Sequence, residues 1–245
     1  MLGRAIRLSV PRRLIIDMLH FASAIPTVPV QRRMSLGPIA AARAACQDRP
    51  RWTAIFAKGY ALVAREFPVL RRAYVKIPWP HLYEYPASNA YIVVERDYQG
   101  EPGLFPILIE DPAERSLSDL GHLLQHASTA PIYDVMEFRR VLLAGALPRP
   151  LRRLLWWLLL NIGSLRGNYF GTFGLSVYSA LNAESLHPLM PMTALNYGVI
   201  GSDGTVNVRI IYDHRVMDGA SVARALARLE EILNTVVAEE LKSLQ

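Results

Sequence analysis

The most constraining feature of this chain lies near its C-terminus, where residues 210–219 read Ile-Ile-Tyr-Asp-His-Arg-Val-Met-Asp-Gly. Val206, Val208, Ile210 and Tyr212 alternate with the two-residue period of a strand, and Gly-Ala-Ser at 219–221 then opens an amphipathic helix. His214 therefore stands where a strand ends, and Asp218 lies four residues on, beside Gly219, which lets the chain turn. A strand-end histidine can be aimed into a cleft, and imidazole takes and returns a proton near neutral pH. The residues alone leave two readings open: a proton-transfer group, or a histidine that only hydrogen-bonds a turn.

Composition bounds the classes available. At 245 residues, about half of them apolar and a fifth charged, the chain can bury a full hydrophobic core and is not a disordered polymer. Its single cysteine, Cys46, excludes an internal disulfide and fits a reducing, cytoplasmic compartment. Cys46 lies in an alanine-rich helical stretch and reads as a small packing residue rather than a nucleophile. The formal charge is +6, almost all of it from arginine, with lysine only at 58, 76 and 242. The arginine pairs are scattered and no nucleic-acid motif accompanies them, so nucleic acid is not an expected partner. Solvated faces account for the arginines, as would attraction to coenzyme A phosphates, an acidic carrier protein or an anionic membrane surface.

The N-terminus lacks a long apolar core followed by a cleavage site, so no secretory signal is expected. The most apolar run, Leu154 to Ile162, is far short of the ~20 residues that span a bilayer. With Arg149, Arg152 and Arg153 before it and Trp156-Trp157 inside it, it reads as a buried core helix. Two alternatives are a helix in a membrane interface and the lining of a groove for a greasy acyl chain.

Periodicity predicts helices over 12–24, 38–47, 53–67, 116–125 and 221–244, and a further apolar helix over 149–162. The second of these spans the Ala-rich stretch, and the fourth starts on a Ser-x-x-Asp cap. Strands are predicted at 27–34 (an edge strand or arm, given its prolines), 69–77, 90–95, 104–109, 173–178, 195–200 and 206–212. No internal repeat or low-complexity linker divides the chain. The expectation is one two-layer α+β domain over 1–245, a mixed sheet flanked by helices, with an N-terminal arm to about residue 35.

Four blocks carry a family resemblance. The decapeptide resembles the His-x-x-x-Asp-Gly signature of the chloramphenicol acetyltransferase superfamily, in the Asp-His-Arg-x-x-Asp-Gly form of the acyltransferases of 2-oxoacid dehydrogenase complexes. Gly103-Leu-Phe-Pro-Ile-Leu-Ile-Glu-Asp-Pro-Ala-Glu-Arg-Ser-Leu resembles the family's Gly-Leu-x-x-Pro-Val segment, with its later Ala and Ser-Leu. The helix from Phe56 to Leu70 resembles its Lys-Ala-(x)-Ala-x-Ala-Leu helix, and Gly171-Thr-Phe-Gly-Leu-Ser its Gly-Thr-Phe-Thr-Ile-Ser strand. The blocks fall in family order over most of residues 10 to 240.

The resemblance implies a chloramphenicol acetyltransferase-like fold and acyl transfer. It puts His214 in the role of general base on a thiol or hydroxyl acceptor and Ser176 in that of oxyanion donor. Asp218 takes the part of an orienting residue, salt-bridged to an arginine near the N-terminus, Arg12 or the adjacent Arg13. Asp213, Arg215 and Gly219 become supporting motif residues. It further implies a homotrimer or higher assembly, with His214 of one subunit facing Ser176 of the next. No permanently bound cofactor or metal is expected; the co-substrate would be a coenzyme A or acyl-carrier-protein thioester.

The chain also departs from the pattern. Ser176 is followed by Val177-Tyr178-Ser179 rather than the family's Ser-Asn/Ser-x-Gly, and the 149–162 helix has no evident dehydrogenase equivalent. Since the catalytic-domain resemblance starts by about residue 10, no lipoyl or subunit-binding domain is expected in this chain. Three readings follow. The first is a free-standing acyltransferase with a hydrophobic substrate, cytoplasmic or membrane-peripheral through Leu154 to Ile162. The second is the core of a 2-oxoacid dehydrogenase complex visited by a lipoyl domain in trans, and the third a non-catalytic scaffold that keeps the fold.

Overall fold

A computed structural model describes residues 3–179, 182–183 and 192–244. Nine α-helices and eight strands occur among them, in the order α1 (Val10–Ala22), β1 (Thr27–Ser35), α2 (Gly37–Ala45), α3 (Trp52–Glu66), β2 (Arg72–Val75), β3 (His81–Glu84), β4 (Asn89–Tyr98), β5 (Glu101–Glu110), α4 (Leu117–Thr129), α5 (Met136–Ala146), α6 (Arg149–Asn161), α7 (Gly163–Phe170), β6 (Phe173–Leu175), β7 (Thr193–Tyr197), β8 (Thr205–Asp213), α8 (Gly219–Ile232) and α9 (Ala238–Lys242). The α+β expectation holds.

Six strands form one mixed sheet in the order β1-β8-β7-β6-β4-β5. Strand β6 runs parallel to both β4 and β7, while β8 is antiparallel to β7 and β1. Proline-bearing β1 takes an edge, where a missing N–H costs no ladder bond. Strands β2 and β3 pair separately.

The central strands are buried on both faces, and their alternation sorts side chains into two cores. Leu195, Val208, Ile210 and Tyr212 face the main core, packed with α3, α4 and α8 residues such as Phe56, Tyr60, Leu120 and Leu229. Ala194 and Ile211 face the other way, against Leu14 of α1, Trp156 and Leu160 of α6 and Phe170. The sheet thus carries a full helical layer on one face and the smaller group α1, α5, α6 and α7 on the other. The capping signal on α4 is real: the Ser116 hydroxyl accepts from the Asp119 N–H at 3.0 Å.

The 149–162 helix is present as α6, and Trp156 is its buried anchor, stacked on Phe170 at 4.8 Å and on Phe21 at 6.2 Å between ring centroids. An ion pair fixes its position. Arg152 and Arg153 of α6 both bond the Asp17 carboxylate of α1, with Asp17 fully buried and Arg152 nearly so. Cys46 is buried, its thiol directed at the carbonyls of Ala42 and Leu241, in line with a packing role.

Candidate active site

His214 follows the last residue of β8, and the strand pairing that ends at Asp213 delivers it to one rim of the sheet. Its backbone N–H donates to the Pro26 carbonyl at 3.1 Å, which ties the histidine turn to the start of β1. The adjacent motif residues brace that turn. Asp213 is buried and accepts from Arg215 in a bidentate fork, Nε to Oδ1 at 2.9 Å and Nη2 to Oδ2 at 2.6 Å. It also accepts the Arg215 backbone N–H at 3.0 Å. The Arg215 guanidinium then lies 4.4 Å over the Tyr74 ring, and its bonds to Asp213 raise its pKa further. Gly219 lies against Tyr212, where a Cβ would sit 3.3 Å from the phenolic oxygen.

The His214 imidazole itself is half exposed, with Nδ1 3.8 Å from Asp218 Oδ1, and the Asp218 side chain is 83% exposed. That distance is beyond a hydrogen bond, and exposure keeps the attraction small. Asp218 can bias the ring's orientation; it does not lock it.

The expected salt bridge between Asp218 and Arg12 is absent, and Arg13 does not supply it: the Arg13 guanidinium bonds the Leu8 carbonyl at 3.2 Å. Among the described residues, His214 is the only ionic partner of Asp218. The reason is helix geometry. Arg12 lies on the face of α1 that meets Glu95, Gly103 and Leu104, at the far end of β4 and β5 from the histidine rim. The charged residue that α1 does bury in an ion pair is Asp17, to which sequence reasoning assigned no role.

Ser176 comes one residue after β6, held by an Asn196 Nδ2 that donates to its carbonyl at 2.8 Å. Its hydroxyl makes no hydrogen bond among the described residues and faces a cavity of about 700 Å³ beneath α1, α5 and α6. The frame before it explains the local path. Gly171 has φ +67°, a Cβ there would lie 2.5 Å from the Asn89 carbonyl oxygen, and Thr172 N donates back to that carbonyl at 2.8 Å. The cavity volume is typical of small-molecule sites, and most of its lining is apolar. The predicted strand over 173–178 stops at Leu175, and Ser176 and Tyr178 beyond it line the cavity.

Strand register shows that one chain does not bring Ser176 and His214 together. Leu175 pairs with Leu195 and Asn196 with Arg209, so Ser176 is level with residue 209 while His214 lies five residues further along β8. With two strand spacings between them, their separation is on the order of 15–20 Å. Ser176 looks into the cavity; His214 looks outward from the opposite rim. No group of His, Cys, Asp or Glu side chains suited to holding a metal ion occurs among the described residues.

No protein-family model matches this chain. No curated protein matches it by sequence. Solved structures do match. A probable dihydrolipoamide acetyltransferase from Listeria monocytogenes superposes with a TM-score of 0.69 at 16% identity, covering 96% of this chain and 95% of that one. The dihydrolipoamide acetyltransferase of Azotobacter vinelandii gives a TM-score of 0.67 at 16% identity, covering 96% and 93%. In that enzyme the catalytic roles studied are those of a serine, a histidine and an asparagine four residues past the histidine. A chloramphenicol acetyltransferase gives a TM-score of 0.54 at 14% identity, covering 92% and 98%. The chain therefore has the chloramphenicol acetyltransferase-like fold, close to that of the catalytic domains of 2-oxoacid dehydrogenase acyltransferases.

Proposed function

We propose that this protein is an acyltransferase that moves an acyl group from a coenzyme A or carrier-protein thioester to a hydroxyl, amine or thiol, its substrate being hydrophobic. The observation that supports it most is the pairing of a Ser176 hydroxyl that makes no hydrogen bond among the described residues, on an apolar cavity, with a solvent-facing His214, on a fold shared with acetyltransferases. Each is half of a site, and a second copy of the chain supplies the other half. The assembly is a homotrimer or a multiple of one.

The chemistry follows from the two groups. With Nδ1 turned to Asp218, the Nε2 of neutral His214 removes the acceptor's proton as its oxygen, nitrogen or sulfur attacks the thioester carbonyl. Negative charge collects on the carbonyl oxygen, and the Ser176 hydroxyl of the neighbouring copy donates to it. Collapse of the intermediate breaks the carbon–sulfur bond, and the departing thiolate takes the proton back from the imidazolium. Arg215, Asp213 and Gly219 keep the histidine turn rigid; Asp218 orients the ring. No group on the protein becomes acylated.

Radiolabelled acyl-CoA of several chain lengths tests this reading, with His214→Ala expected to lower turnover by about 10²–10⁴ and Ser176→Ala by about 10²–10³. Co-refolding the two inactive variants in equal amounts should restore about a quarter of the wild-type sites. Turnover that survives His214→Ala would leave a scaffold role instead, and strict dependence on an added lipoyl domain would favour a dehydrogenase core. Better turnover with acetyl than with long chains would remove the hydrophobic substrate. The outward side of α6, where Leu151, Leu154 and Trp157 are exposed beside Arg149, would bring such a protein to an anionic membrane surface.

A further inference from the structure

The cavity at Ser176 has a direction. It opens beside β5, where Glu110 and two residues of α5, Met136 and Arg140, line it and are exposed. From there it runs beneath α1 and α6 to a buried end, floored by Ala194 of β7 and Ile211 of β8 and covered by Leu14, Met18 and Trp156. Ser176 continues β6, which lies between those two ends in the sheet order. The register gives the length of the inner arm. Gly174 pairs with Ala194 and Ala194 with Ile211, so Ala194 is one strand across and two residues back from Ser176, and Ile211 is one strand further at the same level. At ~4.8 Å between strands and ~3.3 Å per residue, Ala194 lies about 8 Å from Ser176 and Ile211 about 12 Å. Apart from Asn196, already bonded to the Ser176 carbonyl, the side chains around this arm among the described residues are apolar.

Building on the acyl-transfer reading, we infer that the inner arm holds the hydrocarbon of the acyl donor, and that Ala194 and Ile211 limit that chain to a medium length. The reason lies in the four groups around the carbon under attack. Its oxygen turns to Ser176. The sulfur and the acceptor atom both turn to His214 of the neighbouring copy, which takes a proton from one and returns it to the other. That histidine enters from outside the chain, so the remaining group, the hydrocarbon, is the one that points inward. A pantetheine arm does not fit there, since its amides would be buried without partners. An extended hydrocarbon advances ~1.25 Å per carbon, so the ~12 Å to Ile211 takes roughly eight to ten carbons.

Isothermal titration of the full chain with saturated acyl-CoA thioesters, from acetyl-CoA to palmitoyl-CoA, reads the arm without turnover when His214→Ala is the background. Affinity should rise about two- to fourfold per methylene and stop rising at roughly eight to ten carbons, where the arm is full. Ala194→Phe fills the arm at its nearer position and should move that break down to about six carbons. Ile211→Ala opens the far end and should move it up by about two, which serves if Ala194→Phe does not fold. Affinity independent of chain length, a rise that continues unbroken to palmitoyl-CoA, or a break that stays in place in a folded variant would each overturn the inference. So would a break that appears with a series of straight-chain alcohols and shifts in Ala194→Phe while acyl-CoA affinity stays flat, since the arm would then hold the acceptor. Binding does not require transfer. A break that shifts as expected in a wild-type protein that acylates no alcohol, amine or thiol would refute the transfer reading and leave the acyl-binding arm in place.

Discussion

The roof of the cavity depends on one buried charge. Asp17 on α1 is fully buried, and Arg152 on α6 is 5% exposed; the two are joined by a direct Nε to Oδ2 bond. In Asp17→Ala, Arg153 can turn outward, since its side chain is already 23% exposed. Arg152 cannot, and it retains only the Leu147 carbonyl, which accepts from Nη1 at 3.0 Å. Stranding one buried charge of a pair costs about 3–5 kcal/mol. For a chain of this size that corresponds to a fall in Tm of roughly 6–20 °C. Asp17→Leu combined with Arg152→Met removes both charges while filling the volume, and should return to within about 1 kcal/mol of wild type. The urea midpoint and slope of the wild type, the single variant and the double variant give the comparison. A loss below about 1 kcal/mol for Asp17→Ala would show that water reaches Arg152. A double variant as unstable as the single would show that Asp17 acts by something other than pairing.

Two further outcomes rest on the same description. Burial raises the pKa of Tyr85 to about 12 and shifts Tyr60 and Tyr91 upward for the same reason. Each is neutral in the folded chain but ionises near its usual value of about 10 when unfolded, so their contribution is intact below about pH 10 and is lost as pH rises toward the folded value. The urea midpoint should therefore hold to about pH 10 and then fall, with tyrosinate absorbance appearing together with unfolding; a midpoint unchanged past about pH 11 would contradict it. On the outer side of α6, Leu154→Asp should weaken co-sedimentation with phosphatidylserine vesicles, and raised salt should weaken it further through Arg149. Sedimentation indifferent to both changes would count against membrane contact.

Most of the sheet was legible from short runs of β-branched and aromatic residues, such as Tyr91 to Val94 and Val206 to Tyr212. The histidine rim was legible because β8 alternates from Thr205 to Val208 and continues as a β-branched and aromatic run, buried throughout, to Asp213. What escaped was set by packing rather than propensity. Helix α7 contains Gly163 and Gly167, residues of low helix propensity, and no helix is predicted there. They are there because a Cβ would come within 2.3 Å of the Tyr83 ring and 2.5 Å of the Tyr85 ring, respectively. Helix α5 hid behind the 3-10 turn at Ile132–Asp134 and offers no side-chain N-cap. Ser176 was found by its Gly-Thr-Phe frame, but Asn196 was not, since one asparagine in a strand has no distinguishing spacing. The Arg12 assignment failed because a position near the N-terminus does not specify a helix face, and on α1 the face that pairs belongs to Asp17.

The same helix-face argument decides how to read the apolar run of α6. A helix apolar on every side is either buried all round or has a second apolar neighbour outside the fold. Arg152, Trp156 and Leu160 follow one another at four-residue spacing and form the buried stripe. Leu151, Leu154 and Trp157 fall outside that stripe and are each at least 40% exposed. Rotating the helix to bury them would pull Arg152 from Asp17 and Trp156 from between Phe21 and Phe170, exchanging a satisfied ion pair and two ring stacks for contacts no better. The inward face is therefore fixed, and the outward leucines are not a packing error that a small rearrangement could relieve. Because Arg149 shares their exposure, the outward side of α6 is where the proposed contact with an anionic membrane surface would rest.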